Sequence, residues 1–183
     1  LRAKVEIANK TSDFTVSGLL DPEGSDAIVK AGVAKTLVDG ISFTDPRHSS
    51  LGERTIRMIN KDELLKAAGP ALASYRAEYL ARRIALGVPD SASDLIPEKS
   101  MPLEVGFDEL NGIDFEKGCY VGQEVTARMK HRSLVKKRLF PIEFNGDLSP
   151  GAIVRAGEIN AGEVYSVSEG RGLALLRLDL VEK

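Results

Sequence analysis

Two regions of alternating apolar and polar residues, separated by a region of helical spacing, give the chain its main pattern. Alternation with a period of two is typical of strands with one buried face. Turn residues separate the alternating runs, and Ser25 is suited to cap a short helix that ends near Lys30. The strands predicted in the first third of the chain are Leu1–Ile7, Asp13–Leu20, Val38–Phe43 and Thr55–Ile59.

The middle of the chain has apolar residues at helical spacing. Residues 61–86 are predicted to be helical, with a break at Gly69-Pro70. Gly87 is placed to supply the C-cap, and Pro89 prevents the helix from continuing. Aromatic and aliphatic residues at this spacing usually pack in a core. The buried face of the helix is therefore expected to contain Leu72, Tyr75, Tyr79 and Ile84.

The period returns to two after Arg132, and turn residues recur at short intervals. The pattern predicts an α+β protein, in which residues 1–134 form a mixed α/β unit and residues 137–183 form a separate small antiparallel β-barrel. The strands predicted in this tail are Leu139–Phe144, Ala152–Val154, Gly162–Val167 and Leu173–Leu178.

Composition limits the possible functions. The 25 basic and 27 acidic residues leave a net charge of −2, which does not indicate a general nucleic-acid binder. With one cysteine and two histidines, the chain holds neither a disulfide framework nor the ligands for a self-contained metal site. A reduced compartment fits this composition. No run of about 18 apolar residues is present, so no membrane partner is expected.

The single cysteine lies in the octet Lys117-Gly118-Cys119-Tyr120-Val121-Gly122-Gln123-Glu124. Gly118 is predicted to permit a turn that residues with a Cβ avoid. A helix is predicted from Tyr120 onward, because Val121, Val125 and Met129 have helical spacing.

That helix places Cys119 at or just before a helix N-terminus, beside Lys117. Unpaired backbone N–H groups and a nearby cation favour the thiolate form of a cysteine, which indicates a reactive thiol. The alternative is that Cys119 is a small buried core residue, as free cysteines often are. The local features do not decide between the two.

The octet closely resembles the signature of the YgfZ-type proteins, folate-binding proteins of iron–sulfur cluster assembly that are related to the aminomethyltransferase (T-protein) of the glycine cleavage system. Cys119 stands where the T-protein has an aspartate. The resemblance implies that Cys119 is the functional thiolate, poised by Lys117, and that Gln123 and Glu124 orient the region. The remaining matched positions are Gly118, Tyr120 and Gly122.

A second matched segment runs from Asp45 to Arg54 and resembles the Asp-Pro-Arg…Leu-Gly-x-Arg arrangement of the same group. It implies that Arg47 or Arg54 meets an anionic ligand, such as the glutamate tail of a folate. The alternative is a solvated loop whose turn is capped by Asp45. Arg54 falls where the T-protein has a folate-contacting glutamate, a departure that weakens the case for shared chemistry.

A third matched segment, Met101–Phe107, resembles the Leu-Arg-Leu-Glu-x-Gly element of the T-protein, and Glu104 matches its glutamate. Pro102 replaces an arginine that helps to hold folate there. The alternative role for Glu104 is a loop acid that caps a backbone turn. The basic cluster Lys136-Lys137-Arg138 is interpreted as a solvated face, or else as a contact with an anionic partner.

Together these matches imply the second module of a T-protein-like folate-binding fold, followed by the small β-barrel, with the first module and part of the folate cavity upstream. The implied ligand is tetrahydrofolate, and the implied partners are iron–sulfur client enzymes or assembly proteins. The alternatives are a folate-dependent aminomethyltransferase or demethylase and a non-catalytic scaffold, so enzymatic activity stays open. The expected location is the cytoplasm of a bacterium or the mitochondrial matrix of a eukaryote.

Overall fold

The computed structural model describes residues 4–20, 33–58, 71–132 and 134–181, together with positions 62, 66 and 69. Helices and two antiparallel sheets occur in these ranges, which confirms the α+β class. Close contacts divide the chain into two compact units, Leu1–Tyr75 and Arg76–Lys183. Residues 76–134 thus group with the second sheet. The predicted 134–137 boundary marks where that sheet begins, and its role as a domain boundary stays a prediction.

The first unit contains a four-stranded antiparallel sheet with the order β1-β4-β3-β2. Val16, Ile56 and Ile41 lie opposite one another on adjacent strands, so β-branched side chains form a continuous row across one face. Short 3-10 turns at Thr11–Asp13 and Ser49–Leu51 precede β1 and β4. The strands are β1 (Thr15–Leu19), β2 (Lys35–Thr36), β3 (Gly40–Thr44) and β4 (Glu53–Arg57).

The prediction of a strand at Leu1–Ile7 is wrong over its described part, residues 4–7, which lie in no strand. Val5 is 74% exposed and Ile7 is 94% exposed, so alternation there buries nothing. A strand requires a neighbour for its N–H and C=O groups, and the described residues supply none at this position. Residues 1–3 and the helix predicted at Ser25–Lys30 lie outside the described ranges.

The second unit contains the other four-stranded antiparallel sheet, with the order β5-β8-β7-β6. Its inward side chains include Leu139, Val164 and Leu173, which are almost completely buried. Among the described residues these strands pair only with one another. This agrees with the separate antiparallel strands predicted from the alternating pattern after Arg132. The strands are β5 (Lys137–Glu143), β6 (Ile153–Ala156), β7 (Ile159–Ser168) and β8 (Arg171–Arg177), and the short helix α3 (Leu178–Val181) follows them.

Helix α1 (Ala71–Ala85) ends against this second sheet. Its Ile84 is completely buried and packs with Leu139 and Leu173, while the other three predicted core residues of the helix are half-buried. Gly87 adopts a positive φ of 70°, and the N–H of Val88 donates to the carbonyl of Arg83. The predicted glycine C-cap is therefore confirmed.

A buried ion pair joins α1 to the loop that follows it and to the second sheet. Arg83 Nη1 donates to Asp94 Oδ2 at 2.6 Å, and the two side chains are 5% and 0% exposed. Arg83 also donates to Ser166 Oγ in β7 at 3.1 Å and to the carbonyl of Val88 at 3.0 Å. The N–H of Asp90 and the hydroxyl of Ser166 both donate to Asp94. Both charges are thus compensated by hydrogen bonds, as burial demands.

The turn-rich segment after this loop also packs on the second sheet. Leu103 and Val105 are buried, and the N–H of Leu139 in β5 donates to the carbonyl of Glu104 at 2.8 Å. Arg138 reaches across to Asp108 at 2.8 Å and to Glu109 at 2.7 Å. These contacts fix the chain immediately before the cysteine octet.

Candidate functional site

The cysteine loop, residues 113–122, is anchored at both ends by side-chain to backbone hydrogen bonds. Asp114 Oδ1 accepts from the N–H of Glu116 at 2.9 Å and from the N–H of Lys117 at 3.2 Å. At the other end, Gln123 Oε1 accepts from the N–H of Tyr120 at 3.0 Å. Asx-type turns of this kind satisfy the backbone locally and favour one loop conformation. Cys119 therefore lies on an ordered turn between two anchors.

The helix after the loop begins later than predicted. Helix α2 (Gln123–His131) starts four residues after Cys119, not at Tyr120, because Gly122 stands at its N-cap in a left-handed conformation with φ 90°. The prediction for Gly118 is also wrong. Its φ is not in the left-handed region, and a Cβ built there would meet open space. The required glycine of the octet is Gly122, since only glycine adopts this φ without strain.

Cys119 is a free, exposed thiol. The alternative of a small buried core residue is therefore wrong. The thiol borders a cleft of about 250 Å³. The cleft is lined by the cysteine loop on one side and by Gln123, Thr126, Ala127 and His131 of α2 on the other.

Two lysine–aromatic contacts order the charges around this cleft. Lys117 Nζ lies 4.7 Å from the centroid of the Tyr120 ring, and Lys130 Nζ lies 4.6 Å from the centroid of the Phe115 ring. Each contact is a cation–π interaction, worth roughly 0.5–1 kcal/mol at an exposed site. Lys117, Tyr120 and Cys119 all line the cleft, so a cation that is held in place accompanies the thiol. Glu124, in the first turn of α2, is exposed.

Sequence reasoning missed three residues of this site, namely Asp114, Phe115 and His131. Asp114 lies three residues before Lys117, the spacing of a loop acid that caps a turn, and this is the signal that would have identified it. His131 lies eight residues after Gln123, which brings both onto the same side of α2. Phe115 carries no comparable signal.

The two predicted anion-binding arginines, Arg47 and Arg54, meet on a buried carboxylate in the first unit. Arg47 donates to both oxygens of Asp45, from Nε at 3.0 Å and from Nη2 at 2.7 Å. Arg54 Nε lies 3.0 Å from Asp45 Oδ2. Asp45 is completely buried. Two guanidinium groups therefore face one carboxylate.

Burial on its own raises the pKa of Asp45. Hydrogen bonds from Arg47 and the positive charges of Arg47 and Arg54 outweigh that effect, so the pKa lies below its ordinary value of 3.8. Asp45 is therefore ionised at neutral pH and orients both arginines. The capping role of Asp45 is confirmed as well, since its Oδ1 accepts from the N–H of Arg47 at 3.0 Å.

Glu104 is half-buried in the second unit and does not line the cysteine cleft. Its backbone is fixed by the bond between its carbonyl and Leu139. Glu104 and the cysteine loop thus belong to one unit, and the two arginines belong to the other.

Only some of these residues are suited to bind tetrahydrofolate. The guanidinium groups of Arg47 and Arg54, whose side chains are 25% and 37% exposed, are of the type that binds the carboxylate of a glutamate tail. The cysteine cleft, at about 250 Å³, is smaller than the roughly 300–1,000 Å³ typical of ligand pockets. That cleft suits a small group rather than a whole folate.

Within the described ranges, no three or more His, Cys, Asp or Glu side chains are grouped so as to hold a metal ion. The helices in the same ranges include none that is both long enough and apolar enough to cross a membrane.

Residues 136–183 match the family model of the CAF17 C-terminal β-barrel domain, a range that contains the second sheet. The chain also matches proteins named iron–sulfur cluster assembly factor IBA57. It is 36% identical over 144 residues to the homologue of Mycosarcoma maydis. It is 37% identical over 155 residues to the Mus musculus protein and 35% identical over 158 residues to the Homo sapiens protein. The chain is similar to known iron–sulfur cluster assembly factors.

These three matches cover 79%, 75% and 80% of this chain, respectively. The chain spans only 33%, 40% and 41% of the length of those curated relatives. All three relatives are named as mitochondrial proteins, which agrees with the location expected for a eukaryotic protein of this kind.

The lowered pKa of Asp45 predicts how the stability of the first unit depends on pH. A carboxyl with a folded-state pKa below its unfolded value stabilises the fold above the unfolded pKa, and the contribution is lost as pH falls through the folded value. The difference in free energy of unfolding between the wild type and Asp45→Asn should therefore be largest near pH 7. It should shrink below about pH 4. Urea unfolding across this range measures it.

The matched control is Asp39→Asn, which removes an exposed carboxylate that lies 3.7 Å from Arg57 Nε. This variant should change the free energy of unfolding by less than about 1 kcal/mol at every pH. A difference for Asp45→Asn that stays constant between pH 7 and pH 3 would contradict the electrostatic explanation.

Proposed function

We propose that this protein takes part in the assembly or repair of iron–sulfur clusters in client enzymes, as a YgfZ-like protein with Cys119 as its working thiol. The observation that carries the proposal is the exposed Cys119 on an anchored loop within the octet. Similarity to proteins named iron–sulfur cluster assembly factors supports the same role. In a eukaryote the protein would act in the mitochondrial matrix, and in a bacterium it would act in the cytoplasm.

The geometry of the loop suits a thiol that must meet another molecule. A buried cysteine would be inaccessible, and a cysteine on an unanchored loop would lose conformational entropy whenever it engaged a partner. The hydrogen bonds from Asp114 and Gln123 reduce that loss, because the backbone is already ordered. Cys119 is therefore both accessible and positioned.

The neighbours of the thiol have separate roles in this proposal. Lys117, held over Tyr120, keeps a positive charge at the cleft and favours an anionic group bound there. Gly122 allows the chain to turn into α2, and Gln123 fixes the backbone at Tyr120. Glu124 contributes a charge that is favourable at the start of a helix. The cleft accepts a small sulfur-containing or cluster-derived group better than a bulky ligand.

Tetrahydrofolate is the proposed ligand of the complete protein, within a T-protein-like folate-binding module. Arg47 and Arg54, oriented by Asp45, would bind the glutamate tail. When bound, the folate would supply one-carbon chemistry or act as a structural ligand. Iron–sulfur client enzymes or assembly proteins are the proposed partners.

Substitution of Cys119 tests the proposed role of the thiol. Cys119→Ala and Cys119→Ser should both abolish function, because neither side chain ionises near neutral pH. Neither should change the free energy of unfolding by more than about 0.5 kcal/mol, since the residue is exposed. The readout is the activity of an iron–sulfur enzyme in cells that lack the gene and express each variant.

The control is Val121→Ala in the same loop, whose side chain is fully exposed. It should restore enzyme activity as the wild type does. Full restoration by Cys119→Ser would reject the thiol as the working group and favour a scaffold role.

Folate binding is tested by titrating the complete gene product with tetrahydrofolate. Arg54→Gln should weaken the affinity by about ten- to a hundredfold, which is the loss of one charge-assisted hydrogen bond worth about 1.5–3 kcal/mol. Arg57→Gln makes the same charge change in the same strand, at a side chain that is 45% exposed, and should leave the affinity unchanged.

Equal weakening by both substitutions, or no binding by the wild type, would reject the proposed folate contact. Binding accompanied by one-carbon transfer to or from an added amine would instead identify a transferase of the T-protein class. Binding without transfer supports the assembly role.

A further inference from the structure

The segment that contains most of α2 and the start of the second sheet is strongly basic, although the chain as a whole is not. Residues 125–142 contain no Asp or Glu, in a protein with a net charge of −2. The same 18 positions hold six of the 25 Lys and Arg residues, namely Arg128, Lys130, Arg132, Lys136, Lys137 and Arg138. Such a concentration produces a local positive potential.

Two of these cations are already used within the protein. Arg138 is paired with Asp108 and Glu109, and Lys130 lies over the Phe115 ring. The others are exposed, and across the described ranges they form no ion pair: Arg128, Arg132, Lys136 and Lys137. Their charge is therefore directed at solvent or at another molecule.

Helix α2 divides these residues between two faces. The face that lines the cysteine cleft contains Gln123, Ala127 and His131. At 100° per residue, the opposite side carries positions i, i+3 and i+7. We call this side the outer face of α2, and its residues are Val125, Arg128 and, at the C-cap, Arg132.

The outer face is apolar as well as basic. Val125 is 52% exposed, and Leu134, just beyond the helix, is 45% exposed. No residue of α2 is buried. Exposed aliphatic side chains beside exposed cations are typical of a surface that binds a protein, because interfaces combine an apolar centre with a polar rim.

We propose that the outer face of α2 docks an acidic protein surface, in which carboxylates flank a small apolar patch. Charge complementarity would guide association to Arg128 and Arg132, and burial of Val125 and the neighbouring Leu134 would hold the complex. This inference does not depend on the reactivity of Cys119, since the outer face points away from the cleft that the thiol lines.

Other occupants suit this face less well. Single-stranded nucleic acid stacks on exposed aromatic rings, but the nearby rings of Phe115 and Tyr120 are each covered on one side by a lysine. A membrane surface is bound by larger side chains than one valine and one leucine. A second copy of this chain offers acidic residues between 100 and 116, yet Asp108 and Glu109 are already paired with Arg138.

The test uses the 183-residue chain and a fluorescein-labelled synthetic helical peptide that presents a Glu- and Leu-rich face. Binding is followed by fluorescence anisotropy at several salt concentrations. The wild type should bind with an affinity that falls as salt rises. Arg128→Gln together with Arg132→Gln should weaken binding about tenfold, through the loss of two charge-assisted contacts. Val125→Ser, which adds no charge, should weaken binding without changing its salt dependence.

The matched control is Arg155→Gln together with Arg171→Gln, two exposed arginines of the second sheet whose loss changes the net charge equally. It should bind the peptide as the wild type does, and circular dichroism should show that all variants keep their helical content.

Absence of peptide binding, or equal weakening by the control pair, overturns the proposal. The proposal is also overturned if the protein binds a uridine oligomer or phosphatidylserine vesicles more tightly than the peptide, and the Arg128/Arg132 variant loses that binding. Analytical ultracentrifugation provides a last check. Salt-sensitive dimerisation of the wild type that the Arg128/Arg132 variant loses would overturn the proposal as well.

Discussion

The buried ion pair between Arg83 and Asp94 is the constraint on which the second unit depends. Taking two charges out of water costs several kcal/mol per ion, and the pair is tolerated because every partner is in place. Arg83 is held by Asp94, Val88 and Ser166, and removal of any one partner would leave a buried charge incompletely compensated. This interaction therefore specifies one arrangement of α1, the following loop and β7.

That arrangement determines where the chain goes next. With Asp94 fixed, the loop after α1 delivers Leu103 and Val105 into the core and brings the carbonyl of Glu104 to the N–H of Leu139. The connector then leads to Asp114, whose side chain begins the turn that carries Cys119. The position of the exposed thiol is thus set by a series of buried or hydrogen-bonded contacts, and none of them involves the thiol itself.

Sequence patterns were sufficient where local chemistry determines structure. The alternation in the tail predicted the strands of the second sheet, and Gly87 predicted the end of α1, because each depends on neighbours in the sequence. Sequence patterns failed where the structure of a residue depends on a partner that is distant in the sequence. Nothing local to Arg83 reveals that Asp94 and Ser166 will bury it, and the alternation at residues 4–7 finds no neighbouring strand.

At the candidate site, too, local sequence predicted some features and distant contacts determined others. The octet identified Cys119, but the glycine that the backbone needs is Gly122, because the left-handed residue is set by where α2 starts. The sequence indicated that Arg47 or Arg54 meets an anionic ligand, which stays a prediction. Their geometry, with both guanidinium groups on one buried carboxylate, required the register of β3 and β4.

The central claim is that the Cys119 thiol is engaged during iron–sulfur cluster assembly, and its occupancy in cells measures this directly. Cells that express the protein are pulsed with iodoacetamide, either with iron supplied or after iron chelation, and alkylation of Cys119 is quantified by mass spectrometry. A Val121→Cys, Cys119→Ala variant places a thiol at a fully exposed position of the same loop and reports general accessibility. The account predicts that Cys119 is protected when iron is supplied and labelled after chelation, while the displaced thiol is labelled equally in both. Equal labelling of Cys119 under the two conditions would contradict it.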